Sequence, residues 1–429
     1  MKNIIVIAYQ LHYSRGSECA VAMDYIRNVS KEHKLTVLYG SSGGHHEIGN
    51  TEEMEAWTSV HSMENVVFIP VKPSFKSRNW DYSLKGIRYF YKEYRLWHED
   101  VFRLVKDLLN KQHYDLVHFL GPIGFHEPGM LYELPVPYIW GPVGGMGSVP
   151  ATALLTSDMR YRTFGGLKLL VKSLVANFRL NTNRRVLRAL RMSDVVVGAT
   201  TECANKISQA IGCYHHSVVE YLPENCMNVF FPLNVEKFKQ DRINLLFIGT
   251  METRKAPMIV LEALKRIGGN SHRFHVDFLG SGPLSSQCQL FVKNNGLSEV
   301  VTIHGRVERE YVFKLLEEAQ LMLLPSLSDA NTTVVWEAMA HSVPIMCLDH
   351  CGMHDTIKQG SGIKIPVSSF EGIISSWADE LTKITEDPTK LRMMADQLLV
   401  DRLQYTWENR LVAFNKLFSL SEENFKKRQ

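Results

Sequence analysis

The chain predicts two α/β domains, each a parallel sheet covered by helices, and three observations carry that prediction. Short apolar runs that read as buried strands alternate with helix-period stretches along the chain. Its 429 residues exceed one ordinary α/β core, so two domains of roughly 200 residues are expected. Glycine-bearing loops recur directly after the strand-like runs in both halves, where backbone must approach a ligand or another loop closely.

In chain order, Asn3-Ile-Ile-Val-Ile-Ala-Tyr9 reads as a buried first strand, followed by the loop Arg15-Gly16-Ser17-Glu18 and a helix from Cys19. Gly16 would let backbone amides of that loop approach a ligand; a plain strand-to-helix turn is the alternative. Tyr114-Asp-Leu-Val-His118 is a further strand, and Trp140-Gly141-Pro142-Val-Gly144-Gly145 closes the next. Ser193-Asp194-Val-Val-Val-Gly198, a helix start at Glu202 and the strand Ser217-Val-Val-Glu-Tyr221 bring an N-terminal domain to its end at residue 225. Residues 226–241 read as a linker and 242–401 as a C-terminal domain.

The C-terminal domain opens on Phe247-Ile-Gly249-Thr250-Met-Glu-Thr-Arg254-Lys255-Ala-Pro257, a strand end, a glycine and then two cations. Phe278-Leu-Gly280-Ser-Gly282-Pro283 and Val301-Thr-Ile-His-Gly305-Arg306-Val307 repeat the strand-and-glycine pattern. Leu321-Met-Leu-Leu-Pro325 reads as a buried strand, and Thr332–Ala340 as a helix. Between them lie Asp329, Ala330 and Asn331, and Glu337 follows Asp329 by eight positions. Asp329 then sits in the loop and Glu337 more than a turn into the helix, so the two acids address different parts of one ligand. The first helix amides have no partner within the helix and suit a diphosphate. A cap at Asp329 or Thr332 and a solvated Glu337 are the alternatives.

Taken together, these motifs resemble those of glycosyltransferase family 4, retaining enzymes of the GT-B fold. The Asp329-to-Glu337 segment is similar to the family's E-x7-E signature, with Asp329 where the first Glu usually stands. The Gly249-to-Lys255 loop is similar to the one that sets a lysine on the donor diphosphate. The position after the glycine, commonly Arg, is Thr250 here, which makes Arg254 a candidate for the second cation. The Gly141-Pro142-Val-Gly144-Gly145 turn resembles that of a family subgroup.

The resemblance implies two Rossmann-like parallel-sheet domains facing a cleft, with a C-terminal helix over about 402–429 crossing back to the first. It implies that Asp329 and Lys255 act on the donor sugar and its leaving diphosphate. Glu337, Gly249, Thr250, Arg254, Ala330, Asn331, Thr332, Thr333, Gly16, Gly280 and Arg306 would line the donor. A histidine near the transferred sugar is implied too, and both His126 and His118 are candidates. The implied reaction moves a sugar from a nucleoside diphosphate donor to a hydroxyl of a glycan or lipid-linked saccharide in surface polysaccharide synthesis, with no cofactor beyond the donor and no metal. The rival readings are a non-catalytic subunit of the same fold and a sugar phosphorylase or epimerase. A nicotinamide enzyme is disfavoured because Gly280-Ser-Gly282 lacks the rest of a G-x-G-x-x-G turn.

Composition narrows the setting. Hydrophobic content of 45% and charged content of 22% exclude an intrinsically disordered chain. Seven scattered cysteines suit a reducing compartment. No run approaches the roughly 20 apolar residues of a membrane span, and the apolar start is a strand and not a signal peptide, so a cytoplasmic protein is expected. His12, His45 and His46 fall in polar loop sequence and are expected to be solvated, and no histidine spacing suggests zinc.

Two basic stretches predict peripheral contact with an anionic membrane. Residues 72–97 interleave seven Lys and Arg with Trp80, Tyr89, Phe90, Trp97 and other aromatics, and residues 160–191 hold nine Lys and Arg with no acid. For both, a solvated helix packed by its apolar face is the alternative, and for the second a cover over the cleft is another. Nucleic acid is a poorer explanation because no reader motif accompanies the charge.

Overall fold

The computed structural model describes residues 1–14, 17–40, 52–72, 90–213, 215–330 and 332–429. They form two compact units: Met1–Met146, Ala176–Asn225 and Trp407–Gln429 make up the first, and Gly147–Val175 with Cys226–Thr406 the second.

The first unit is built on seven parallel strands: β1 (Asn3–Ala8), β2 (Lys34–Tyr39), β3 (Val66–Pro70), β4 (Leu116–Gly121), β5 (Tyr138–Val143), β6 (Val195–Gly198) and β7 (Val218–Tyr221). Their order is β3-β2-β1-β4-β5-β6-β7. The inner strands are buried along nearly their whole length, as a parallel sheet covered on both faces demands. The chain leaves β1 for one side and returns beside it as β4, so the topological switch lies between those two strands.

The helix Trp407–Arg428 completes this unit. Phe414 packs edge-on against Tyr25 at 4.9 Å, and Phe418 is fully buried. Asn424 Nδ2 donates to Asp194 O at 2.8 Å, and Arg428 Nη1 to Met192 O at 2.8 Å.

The second unit holds six parallel strands: β8 (Ile243–Ile248), β9 (Phe274–Leu279), β10 (Val301–Gly305), β11 (Leu321–Leu324), β12 (Ile345–Leu348) and β13 (Gly362–Ile365). The order is β10-β9-β8-β11-β12-β13, which puts the switch between β8 and β11. Residues 147–175 lie in this unit, a placement that no local pattern in the sequence signals. Ala153 and Leu154 of the helix Ala151–Tyr161 enter its core, and Tyr161 Oη donates to Glu262 Oε1 at 2.8 Å. Asp158 accepts from the amides of Gly166 and Leu167 at 3.0 and 2.7 Å, capping the next helix, Gly165–Thr182.

Of the basic and aromatic stretch at 72–97, residues 73–89 lie outside the described residues. Tyr94 and Trp97 belong to the core: both are buried, and Trp97 Nε1 donates to Val71 O at 3.1 Å. Trp97 is therefore closed to a membrane interface. The helix Phe90–Lys111 buries Tyr94, Trp97, Val101 and Val105, a three-and-four spacing that marks a helix face turned to a core. His12, expected to be solvated, is also buried, stacked on Tyr13 at 4.3 Å. His45 and His46 lie outside the described residues. All seven cysteines are free thiols.

Candidate functional site

In the second unit, the loops leaving β8 and β11 meet at the switch point, where a parallel sheet opens a crevice beyond its strand ends. The β8 loop turns at Gly249 and reaches Ala256, whose left-handed φ of 48° ends the turn before the helix Pro257–Arg266. Proline at the first helical position costs no hydrogen bond there. The two cations that precede Ala256 are thereby aimed at the β11 loop. Lys255, only 6% exposed, pairs with Asp329 Oδ2. Arg254 Nη1 lies 2.9 Å from Asp329 Oδ1, while its Nη2 meets Glu252 Oε1 at 2.9 Å. A backbone bond from Leu327 N to Arg254 O at 2.8 Å ties the two loops together.

The second glycine loop supports the first. Gly280 follows β9 with φ of 125°, and a β-carbon there would stand 2.1 Å from the carbonyl oxygen of Gly249. Only glycine permits that approach. Below the β11 loop, a β-carbon on Gly352 would lie 1.3 Å from Ala330 O, so the helix Cys351–Thr356 presses directly on that loop.

The helix Thr333–Ala340 starts from this loop with Thr332 at its N-cap, and the Thr332 side chain makes no capping bond. The first amides thus point past the cap rather than into it. Glu337, one turn further, is mostly buried, and Arg309 Nη2 lies 2.9 Å from its Oε1. Burial pushes the Glu337 carboxyl upward, with Arg309 opposing. Sequence reasoning missed Arg309, because nothing links it to Glu337 across 28 positions. Thr250 is exposed, as is Arg306 after β10, and Thr333, Ala330 and Gly280 are half-buried near the strand ends. Asn331 lies outside the described residues.

The first unit has its own hollow at the β1–β4 switch, lined by Ala8, Gln10, Glu18, Gly121, Pro122, Ile123 and Glu224 among others. Burial pushes the Glu224 carboxyl up to about 8, with Glu18 adding and Arg410 opposing. Gly16 lies outside the described residues.

Of the two candidate histidines, His118 is a core residue. It is fully buried, its Nδ1 is 2.8 Å from Tyr25 Oη and its Nε2 2.8 Å from Gly141 O. Burial lowers its pKa to about 4, and with both ring nitrogens engaged it has none left for a substrate, which corrects its candidacy. His126 follows β4 and is half-buried, edge-on to Tyr91 at 5.5 Å. Its neighbour Glu127 is buried and held by Arg95 at 3.0 Å and Arg185 at 2.9 Å.

Residues 233–397 match the family described as Glycosyl transferases group 1. Over 157 residues the chain is 24% identical to alpha-D-kanosaminyltransferase of Streptomyces kanamyceticus, covering 36% of this chain and 40% of that protein. Over 152 residues it is 22% identical to the putative colanic acid biosynthesis glycosyltransferase WcaL of Salmonella typhimurium, covering 34% and 37%. It thus spans two fifths or less of the length of these relatives. The whole fold is similar to that of the lipopolysaccharide outer core galactosyltransferase WaaB, with a TM-score of 0.60 at 14% identity over 97% of this chain and 99% of that one. HepE of Anabaena, solved with UDP, superposes with a TM-score of 0.59 at 12% identity over the same shares. The fold is GT-B.

Proposed function

We propose, from the match of residues 233–397 to the group 1 glycosyl transferases, that the chain is a retaining glycosyltransferase using a nucleoside diphosphate sugar. The observation that carries this reading is the convergence of Lys255 and Arg254 on the Asp329 carboxylate, beside the start of the Thr333–Ala340 helix. Two cations and a helix N-terminus are what a diphosphate requires. Arg254 would fill the part left open by Thr250. In the absence of donor, Asp329 holds the cations; with donor bound, the diphosphate shares them and Asp329 turns to the sugar. Glu337, positioned by Arg309, would receive the ribose hydroxyls.

In the transfer, the bond from the anomeric carbon to the departing phosphate oxygen breaks and the diphosphate keeps the electron pair. The acceptor oxygen forms the new bond on the same face, and its proton passes to the departing phosphate. Lys255 and Arg254 meet the charge that develops there, so no divalent metal is required. The acceptor would be a hydroxyl of a glycan or lipid-linked saccharide, reached at the cytoplasmic side of a membrane. Polysaccharide assembly suits the named function of WcaL, among the relatives.

Thermal shift of the purified chain with UDP, GDP, ADP and their sugars tests the donor class, since a ligand that prefers the folded state raises its stability. At a hundred times Kd the gain is about 2.7 kcal/mol. No shift with any of them would sink the proposal. A shift without turnover on any acceptor would favour a non-catalytic subunit.

A further inference from the structure

The helix Gly165–Thr182 has two apolar faces, and among the described residues only one is covered. Leu169, Ala176 and Leu180 turn to the cores. On the opposite face, Leu167, Val171, Leu174 and Val175 are 46, 50, 61 and 43% exposed, with Phe164 before the helix at 80% and Phe178 further along it at 68%. At 3.6 residues per turn, positions 167, 171, 174, 175 and 178 fall within an arc of about 100°, so they form one continuous stripe. An exposed apolar stripe of this size marks an interaction surface.

Charge decides what covers it. Lys168, Lys172 and Arg179 are exposed along one edge of the stripe. Between Asp158 and Asp194 there are nine Lys and Arg and no acid. Pairing with a second copy would bring two such basic, acid-free faces together, which like-charge repulsion opposes. A surface that accepts apolar side chains and supplies negative charge around them is an anionic bilayer. Asp158 fixes the start of the helix through the amides of Gly166 and Leu167, so the face is presented ready-formed.

We propose that the exposed face of the Gly165–Thr182 helix docks on an anionic lipid surface, with Leu167, Val171 and Leu174 entering the headgroup boundary and Lys168 and Lys172 meeting lipid phosphates. The inference deepens the membrane-side location given above, but its test needs no donor, acceptor or turnover.

The full chain is sedimented with vesicles of phosphatidylglycerol and phosphatidylethanolamine, or of phosphatidylcholine alone, at low and high salt. Clear binding to the anionic vesicles that weakens with salt, and little to the neutral ones, is the expected result. Lys168→Gln with Lys172→Gln should lower partitioning about thirtyfold, at roughly fivefold per cation. Leu167→Ser with Leu174→Ser should lower it as well, while the melting temperature holds because these side chains are already exposed. Three outcomes overturn the proposal: no vesicle binding by the native chain, equal binding to neutral and anionic vesicles, or variants that bind as the native chain does. A native dimer that the leucine variant splits, with no vesicle binding, also overturns it and assigns the face to a second copy.

Discussion

Lys255 sits in a nearly closed position with Asp329 against it, and Arg254 meets the other carboxylate oxygen. The two substitutions at this pair should therefore separate. Lys255→Ala leaves Asp329 with Arg254, so the fold survives, but the leaving diphosphate loses a cation worth about 2–4 kcal/mol, or roughly thirtyfold to several hundredfold in turnover. Asp329→Asn leaves Lys255 buried without its counter-ion, so it should lower stability by about 3 kcal/mol, with UDP recovering more of the loss than in the native chain. Native-like turnover in Lys255→Ala would remove the assignment of that lysine. Glu224 offers a second check. Its folded pKa of about 8 stands above its ordinary 4.5, so the folded state binds the extra proton and stability falls as pH rises toward 8. In denaturant titrations at pH 6.5 and 8, the native chain should lose at least about 1 kcal/mol relative to Glu224→Gln. An equal change in the two chains assigns the pH dependence elsewhere. His33, His98, His118, His216 and His341, kept neutral by burial, act the other way at the lower end of this window as their unfolded imidazoles lose protons, so the difference between the two chains carries the result.

At the scale of elements, the Asp329 loop is set from beneath as much as by its own residues. Gly352→Ala would place a methyl group 1.3 Å from Ala330 O, so the helix Cys351–Thr356 or the loop must move. We expect a stability cost of about 1–3 kcal/mol and, because the helix start above it shifts too, UDP affinity weakened by about tenfold, which calorimetry would read. Unchanged UDP affinity would show that the loop does not hold the donor. Nothing in the sequence points from Gly352 to Ala330, since the contact exists only once β11 and β12 are side by side. The strands themselves were legible: buried on both faces, they are near-continuous apolar runs, and each glycine loop follows one directly. The Phe90–Lys111 helix misled for the opposite reason. Its composition, basic and aromatic, suggested an interface, but the spacing of Tyr94, Trp97, Val101 and Val105 already pointed to a core. Spacing outranked composition there. For His118, an apolar strand left core and site equally open, and only its two partners decided between them.

Over the whole molecule, the proposed chemistry rests on fixed cations and helix amides, so activity should survive removal of divalent ions. Dialysis against EDTA should change the rate less than about twofold, roughly 0.4 kcal/mol in barrier. Loss of activity with rescue by manganese would point to a metal-dependent transferase instead. The bounds of the two units were only partly readable, because residues 147–175 carry the same apolar period whichever core receives them.

The placement of Trp407–Gln429 in the first unit also bears on how the chain is made. A ribosome completes every strand of the first sheet before it begins the second, yet the helix that covers Tyr25 and seals Asp194 and Met192 is synthesised only after all of the second unit. Apart from residues 147–175, the second unit is continuous, so it can close while the first still waits with an open apolar face. At about 5–20 residues per second, the roughly 180 residues made between β7 and that helix hold the first unit in this state for about 10–40 s. A nascent chain stalled before residue 407 should therefore recruit chaperones through a sheet whose strands are all already present.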